Sequence, residues 1–211
     1  MNNEFEKRLL SSIILIPISI FLIIKGSIFF IFFLSILFLV TSYEWVKMSK
    51  KNFLLKFLGI IFLFFSFYTA FEIRGDENFK DFLFIITICI STDIGGYIFG
   101  KVFKGPKLTK ISPKKTYAGV FGGFLLSLLA GLVFNHYIYI NQKIFNEDLS
   151  VFILILFISL ISQLGDLLIS YFKRKAKIKD TGKILPGHGG LLDRIDGMIF
   201  VFPVCYLIII L

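Results

Sequence analysis

Long apolar stretches alternate with short polar ones along the whole chain. Seven apolar stretches run for 14 to 21 residues each, and an apolar helix of about 20 residues crosses the core of a bilayer. The pattern therefore predicts an all-α fold, a polytopic membrane bundle of about seven transmembrane helices in a single domain, residues 1–211. The last stretch is short for a crossing. The predicted spans are residues 9–24, 28–41, 57–71, 82–99, 118–138, 151–169 and 198–211.

Two local features refine this pattern. Residues 42–56 carry four Lys and are predicted to form a short loop between the second and third spans. The fifth span opens with Gly119, Gly122 and Gly123, and small residues let membrane helices approach closely. We therefore expect the start of this span to pack tightly against a neighbouring helix.

Composition supports the membrane interpretation. The chain is 56% hydrophobic and contains 28 Phe, whereas a soluble domain is about 45–50% apolar. The formal net charge of +9 would raise the question of nucleic acid in a soluble protein. In a membrane protein it indicates basic cytoplasmic loops, or binding of an anionic lipid or nucleotide. We expect no nucleic-acid partner.

The basic residues also predict an orientation. If the N-terminus is cytoplasmic and every span crosses once, only four of the 23 Lys and Arg lie in the outer loops. Basic residues concentrate on the cytoplasmic side of membrane proteins, so this count favours seven crossings with the N-terminus inside. The same arrangement puts residues 162–197, which we call the charged segment, on the cytoplasmic face.

The charged segment concentrates the ionisable groups of the chain. It contains seven of the 23 basic residues and four of the 14 acidic ones. Asp166 and Asp193 lie 27 residues apart in it. Carboxylates bind hard cations such as Mg²⁺, and Lys and Arg bind phosphate oxygens. The residues alone therefore predict metal-dependent phosphate chemistry at the membrane surface.

Several acids have open alternatives. An Asp at the edge of an apolar helix is costly unless it is paired or functional, so Asp166 is either a metal ligand or the partner of a Lys. Asp196 is either a third ligand or the partner of Arg194. Asp93, inside the fourth span, completes the metal site, contacts substrate or makes a polar helix contact.

A glycine-rich loop precedes Asp193. Gly187, Gly189 and Gly190 permit unusual backbone angles, and such a loop can present N–H groups to phosphate oxygens. His188 lies between them. A phosphate monoester has a second pKa near about 6 and needs no general base at neutral pH, so we expect His188 to orient or contact substrate.

Three stretches carry a family resemblance. The charged segment contains Ser170-Tyr-Phe-Lys173-Arg174, Lys179-Asp180-Thr-Gly182, Leu185-Pro186-Gly187-His188-Gly189-Gly190 and Asp193-Arg194-Ile-Asp196, and upstream lie Asp93-Ile-Gly-Gly-Tyr and Ile111-Ser-Pro-Lys-Lys-Thr116. Together they resemble the phosphatidate cytidylyltransferases (CDP-diacylglycerol synthases). After Thr116 that family usually has an aromatic residue, an acid and a glycine, whereas this chain has Ala118 in place of the acid.

The resemblance implies an activity and a set of site residues. The activity is transfer of CMP from CTP to phosphatidic acid, giving CDP-diacylglycerol and pyrophosphate, by a homodimer in the bacterial cytoplasmic (inner) membrane. The cofactor is Mg²⁺, with a second, monovalent cation left open. The implied metal ligands are Asp166 and Asp193, and Asp196 is the candidate third ligand. The implied catalytic residues are Asp166, Asp193, Lys173, Arg174 and His188. The implied substrate contacts are Ser162, Ser170, Lys179, Asp180, Arg194, Asp93, Lys114, Lys115, Gly187, Gly189 and Gly190.

Two basic residues and two other functions complete the hypotheses. Lys175 and Lys177 fall where the family pattern is free, so we expect them to be interfacial anchors. A CTP-dependent lipid kinase acting on a polyprenol would need similar residues and is the alternative activity. A small ion transporter that uses Asp93 and Asp166 is a further alternative, although charges clustered at one face do not form a path across the membrane.

Overall fold

The computed structural model describes residues 2–49, 52–75, 79–109, 112, 114–138, 148–184, 187 and 189–210. Within these residues the fold is all-α, with one isolated bridge between Lys107 and Thr116. The helices are α1 (Asn2–Lys25), α2 (Ser27–Met48), α3 (Phe53–Arg74), α4 (Phe79–Val102), α5 (Tyr117–Ile138), α6 (Asp148–Lys175), α7 (Leu192–Ile195) and α8 (Met198–Ile210).

The predicted membrane bundle is confirmed. Among the described residues, helices α2 to α6 are long and apolar enough to cross a bilayer, and shorter apolar helices cover Ser11–Lys25 and Met198–Ile208. Helix α8 has 13 residues and is about 20 Å long, since an α-helix rises about 1.5 Å per residue. The hydrocarbon core is about 30 Å thick, so α8 alone is shorter than a full crossing.

The loop predicted for residues 42–56 is wrong over most of its length. Helix α2 continues to Met48, and α3 begins at Phe53, with the side chain of Asn52 accepting from the Leu55 N–H at its start. The reason is a buried face on the last turns of α2, formed at helical spacing by Thr41, Glu44, Trp45 and Met48. Positions i, i+3, i+4 and i+7 lie on one side of a helix.

The glycines of the fifth span pack as predicted. A Cβ added at Gly119 would lie 2.8 Å from the carbonyl oxygen of Gly96, and one added at Gly123 would lie 3.1 Å from the carbonyl oxygen of Thr92. The backbones of α4 and α5 therefore touch at these positions. The Thr92 hydroxyl donates to Ser159 Oγ on α6 at 2.9 Å, which joins a third helix to the pair.

Helix α8 packs in the centre of the apolar core. Its Phe202 ring stacks on Phe82 of α4 with centroids 5.2 Å apart, and Phe82 meets Phe30 of α2 edge-on at the same distance. Cys89 and Cys205 are free and buried in this core. Because α8 is held from several sides, the turn immediately before it, which contains Asp196, has a defined position.

Candidate active site

Asp166 lies near the end of α6, against the turn that starts α8. A Cβ added at the preceding Gly165 would lie 2.6 Å from the Phe200 ring and 3.1 Å from the Asp196 carbonyl oxygen, so glycine permits this close approach. One carboxylate oxygen of Asp166 forms an ion pair with Lys115 Nζ at 2.5 Å. The other accepts from Ser170 Oγ at 3.4 Å.

Local structure before α5 positions Lys115. The Lys115 N–H donates to the Ser112 carbonyl, and the Lys115 carbonyl accepts from the Leu108 N–H. Thr116 Oγ1 then accepts from the Gly119 N–H at 3.1 Å and caps α5. This turn and cap direct Lys115 towards Asp166, whereas Lys114 is exposed.

Asp196 touches Asp166. The two carboxyl groups are within hydrogen-bonding distance, and Asp196 is buried, with 7% of its surface exposed. Burial raises the pKa of the Asp196 carboxyl well above its ordinary value, and the nearby charge of Asp166 raises it further, against a lowering effect of Lys173. Two neighbouring carboxylates, one of them buried, repel each other when both are ionised, so positive charge at this position is favourable.

Lys173 joins Asp196 to Asp193. Its Nζ lies 2.8 Å from Asp193 Oδ1 and 3.8 Å from Asp196 Oδ2. The second oxygen of Asp193 accepts from the backbone N–H groups of Thr181 at 2.8 Å and Gly190 at 3.2 Å. A buried lysine needs such partners because an unpaired buried charge is strongly destabilising.

The contacts form one connected series, from the turn before α5 through α6 to α7 and the turn before α8. In order along the series, its members are Lys115, Asp166, Asp196, Lys173 and Asp193. Asp93 of α4 lies within electrostatic reach of Asp166, Lys115 and Arg194. The structure therefore brings together the acids that the sequence analysis selected, and we call this set the carboxylate cluster.

Glu44 holds the loop beneath the cluster and was missed by the sequence analysis. It is fully buried. Its carboxylate accepts from the Leu192 N–H at 2.8 Å, the Leu191 N–H at 3.0 Å and the Thr181 hydroxyl at 2.9 Å. It therefore caps α7 from another helix. The signal that could have found it is the helical spacing of the buried residues around it on α2.

Glycines make room for this buried carboxylate. A Cβ added at Gly190 would lie 2.8 Å from Glu44 Oε2. Gly187 and Gly189 have φ angles of +74° and +89°, a region that favours glycine. The Gly190 N–H is used by Asp193. His188 and its neighbours Leu185 and Pro186 lie outside the described residues.

The remaining predicted contacts lie at the edge of the cluster or beneath it. Arg174, Lys179, Asp180 and Arg194 are exposed, and Arg174 donates to the Ile178 carbonyl at 3.0 Å. Ser162 is buried against Gly197, where a Cβ would lie 2.9 Å from the Ser162 carbonyl oxygen. Ser162 therefore contributes to the close approach of α6 and α8.

The donor set would suit a magnesium ion whose remaining ligands are water and substrate phosphates. No three His, Cys, Asp or Glu of the described residues lie close enough to hold a metal ion by themselves. Asp166 and Asp196 provide two adjoining carboxylates, and Asp193 lies beyond Lys173. Mg²⁺ in phosphoryl-transfer sites is usually held by one or two carboxylates, water and substrate phosphates, which two carboxylates satisfy.

Comparisons with known proteins agree with the family resemblance. A profile of the cytidylyltransferase family matches residues 49–211. A phosphatidate cytidylyltransferase of Rickettsia felis is 38% identical over 211 residues, covering 97% of this chain and 92% of that protein. One from Staphylococcus epidermidis is 38% identical over 182 residues, covering 82% of this chain and 66% of that protein. This chain belongs to the phosphatidate cytidylyltransferase family.

Proposed function

We propose that the protein is a membrane enzyme that transfers CMP from CTP to phosphatidic acid, giving CDP-diacylglycerol and pyrophosphate. Family membership supports this activity. The observation that carries it is the carboxylate cluster, in which two lysines and three aspartates from α6, α7 and the turns before α5 and α8 meet. Such a set can bind both a cation and the phosphates of two substrates.

The reaction forms one bond and breaks one. A phosphate oxygen of phosphatidic acid forms a bond to the α-phosphorus of CTP, and the bond from that phosphorus to the bridging oxygen of the β-phosphate breaks. The electron pair leaves with pyrophosphate. No redox partner is needed, and the attacking phosphate is ionised at neutral pH because its second pKa is near about 6.

The lysines of the cluster orient phosphate oxygens. Lys115 and Lys173 each hold a carboxylate, and an ammonium group has three donors. Each can therefore keep its carboxylate and donate to a phosphate. Arg174, Lys179 and Arg194 lie exposed beside the cluster and add charge for the incoming nucleotide, and His188 contacts substrate.

Asp166 and Asp196 are the proposed magnesium ligands. Asp193 was also predicted as a ligand, but its oxygens accept from Lys173 and from the Thr181 and Gly190 N–H groups, so we propose that it acts through Lys173. A bound magnesium ion supplies positive charge that neutralises phosphate oxygens and aligns the two substrates. Asp193 also ties the backbone at Thr181 and Gly190 to the cluster. Loss of Asp193 therefore affects both the charge and the position of the loop.

The membrane setting follows from the positions of the charges. We propose that the cluster faces the cytoplasm in the bacterial inner membrane, where CTP is available, and that the lipid tails remain in the bilayer. The asymmetry of the basic residues supports this orientation. The family resemblance supports a homodimer.

Incubation with CTP labelled in the cytidine and with phosphatidic acid tests the activity. We expect pyrophosphate release, label retained in the lipid fraction and dependence on Mg²⁺. Release of labelled CDP with an unlabelled phosphorylated lipid would instead support the lipid-kinase alternative. Ion flux in proteoliposomes without any lipid turnover would support the transporter alternative.

A further inference from the structure

A cavity of about 850 Å³ opens beside the carboxylate cluster, and two of the predicted substrate contacts, Lys179 and Asp180, line it. It lies between the end of α2, the start of α3, and the end of α6 with the loop that follows. Its volume is in the range of about 300–1,000 Å³ that small-molecule sites have. Its lining includes five lysines, namely Lys47, Lys175, Lys177, Lys179 and Lys183.

The cavity is strongly basic. Among the described residues, Asp180 is its one acidic lining residue, so the formal charge of the described titratable side chains is five minus one, or +4. In the described part of the chain, none of the five lysines forms an ion pair. Lys47 and Lys175 also complement the C-terminal ends of α2 and α6, but the three loop lysines have no such role.

Two further features of the cavity favour an anion. Ser49 lines it and is buried, with 5% of its surface exposed, and its Oγ has no hydrogen-bond partner among the described residues. The first turn of α3, at Asn52 and Leu55, also lines it, and the N-terminus of a helix attracts negative charge. Rotation of the Ser49 hydroxyl into the cavity would give it a phosphate oxygen as acceptor.

One residue connects the cavity to the cluster. Thr181 lines the cavity, and its backbone N–H donates to Asp193 Oδ2 at 2.8 Å. A ligand in the cavity therefore lies one residue from a member of the carboxylate cluster. The cavity and the cluster can hold different parts of one substrate.

We propose that this cavity binds the β- and γ-phosphates of the nucleoside triphosphate and holds the pyrophosphate as it leaves. This inference rests on the proposed function. A single phosphate monoester carries about −1.5 to −2 charges. The two linked β- and γ-phosphates therefore match the charge of a +4 cavity better than the one phosphate of the lipid does. Lys175 and Lys177 then serve substrate binding and are more than interfacial anchors.

The chain offers a matched pair of variants. Lys177 and Lys104 are both exposed lysines with positive φ angles, +58° and +53°. Substitution by glycine at either position relieves the same backbone strain and removes the same charge. Lys177 lines the cavity and Lys104 does not, so Lys104→Gly controls for both effects.

We expect Lys177→Gly to raise the KM for CTP by about threefold to tenfold, the range of one lost charge contact. The inhibition constant for pyrophosphate should rise by a similar factor. The KM for phosphatidic acid should stay unchanged, and the unfolding temperature should not fall. Lys104→Gly should match the wild type in both KM values and in the inhibition constant, and its unfolding temperature should change as that of Lys177→Gly does. The double variant Lys177→Gly, Lys183→Ala should raise the KM for CTP further.

Three outcomes would overturn the inference. The first is an unchanged KM for CTP in the double variant. The second is a rise in the KM for CTP in Lys104→Gly equal to that in Lys177→Gly. The third is a change confined to the KM for phosphatidic acid, which would mean that the cavity binds the lipid headgroup. All three require a wild type that releases pyrophosphate from CTP and phosphatidic acid. A wild type that does not would contradict the proposed function itself. Equilibrium binding of pyrophosphate to the detergent-solubilised full chain gives a second readout without turnover.

Discussion

At the residue scale, a buried carboxylate that accepts three hydrogen bonds organises the loop under the site. Glu44 receives two backbone N–H groups and one hydroxyl. Removing one partner from a buried hydrogen-bonded set leaves the others unsatisfied, at a cost of about 1–3 kcal/mol for each group. The loop that carries Thr181 and Leu191 therefore depends on a residue from the end of α2.

Glu44→Ala should lower both stability and activity. We expect a loss of about 2–5 kcal/mol in the free energy of unfolding, because three donors lose a buried acceptor. Turnover should fall with it, since the loop also positions Asp193. The measurements are thermal unfolding in detergent and the CTP assay. Glu72→Ala, at an exposed position of α3, is the matched control, and equal effects of the two variants would contradict this role.

Asp166→Asn should separate chemistry from folding. The substitution keeps the size of the side chain and removes its charge, and 29% of the Asp166 side chain is exposed. We expect turnover to fall about a thousandfold, on the order of 4 kcal/mol of barrier, with little change in the unfolding temperature. The checks are initial rates at saturating CTP and a thermal melt. A rate within tenfold of the wild type would remove Asp166 from the proposed ligands.

These residues differ in how far the sequence could reveal them. Asp166, Asp193 and Lys173 stand out because charges are costly in an apolar chain. Glu44 does not stand out, since it lies among lysines in a stretch that resembles a polar loop. Its partners Thr181 and Leu192 are 137 and 148 residues away, and no local pattern encodes a contact of that range.

At the element scale, the contact of α4 with α5 depends on glycine at particular positions. A Cβ added at Gly95 would lie 2.8 Å from the Gly122 carbonyl carbon and 2.9 Å from Leu126 Cβ. At the next position, Gly96, the nearest atom would be 3.7 Å away, an ordinary contact. Alanine substitutions at these two neighbouring positions therefore separate the effect of packing from that of helix propensity.

Gly95→Ala should destabilise the bundle while Gly96→Ala should not. Overpacking typically costs about 1–3 kcal/mol, and here the opposing atoms include backbone that cannot rotate away. Gly96→Ala should be neutral or stabilising by up to about 1 kcal/mol, because alanine is the better helix former. Thermal unfolding of both variants in one detergent checks this. A Gly95→Ala variant as stable as Gly96→Ala would mean that α4 and α5 do not touch there.

The sequence predicted correctly that these helices form, but it predicted the positions of their ends less accurately. Each long apolar stretch became a helix, because backbone groups in a membrane must be bonded within the segment. The ends were missed where polar residues continue a helix, as in α2 to Met48 and α6 to Lys175. Lys173 is on α6 for that reason and can reach the Asp193 carboxylate.

At the scale of the whole molecule, all proposed chemistry lies at one end of the helix bundle. The Lys115 turn, the end of α6 and the turn before α8 meet in the carboxylate cluster. The basic cavity at the α2–α3 junction adjoins them through Thr181. The opposite side contains the α3–α4 junction, where the Arg74 side chain donates to the Ile23 carbonyl at 3.1 Å and caps α1.

Cysteine labelling tests the proposed orientation of this arrangement. Cys89 and Cys205 are buried, at 0% and 4% exposure, so the native thiols should not react with a membrane-impermeant maleimide in folded protein. Glu72→Cys and Lys104→Cys place a thiol at exposed positions that are predicted to lie on opposite sides of the membrane. Right-side-out vesicles should label only Glu72→Cys, because position 72 is predicted to face outward. Inside-out vesicles should label only Lys104→Cys. The reverse pattern would put the carboxylate cluster outside, away from cytoplasmic CTP, and would contradict the proposed site of the reaction.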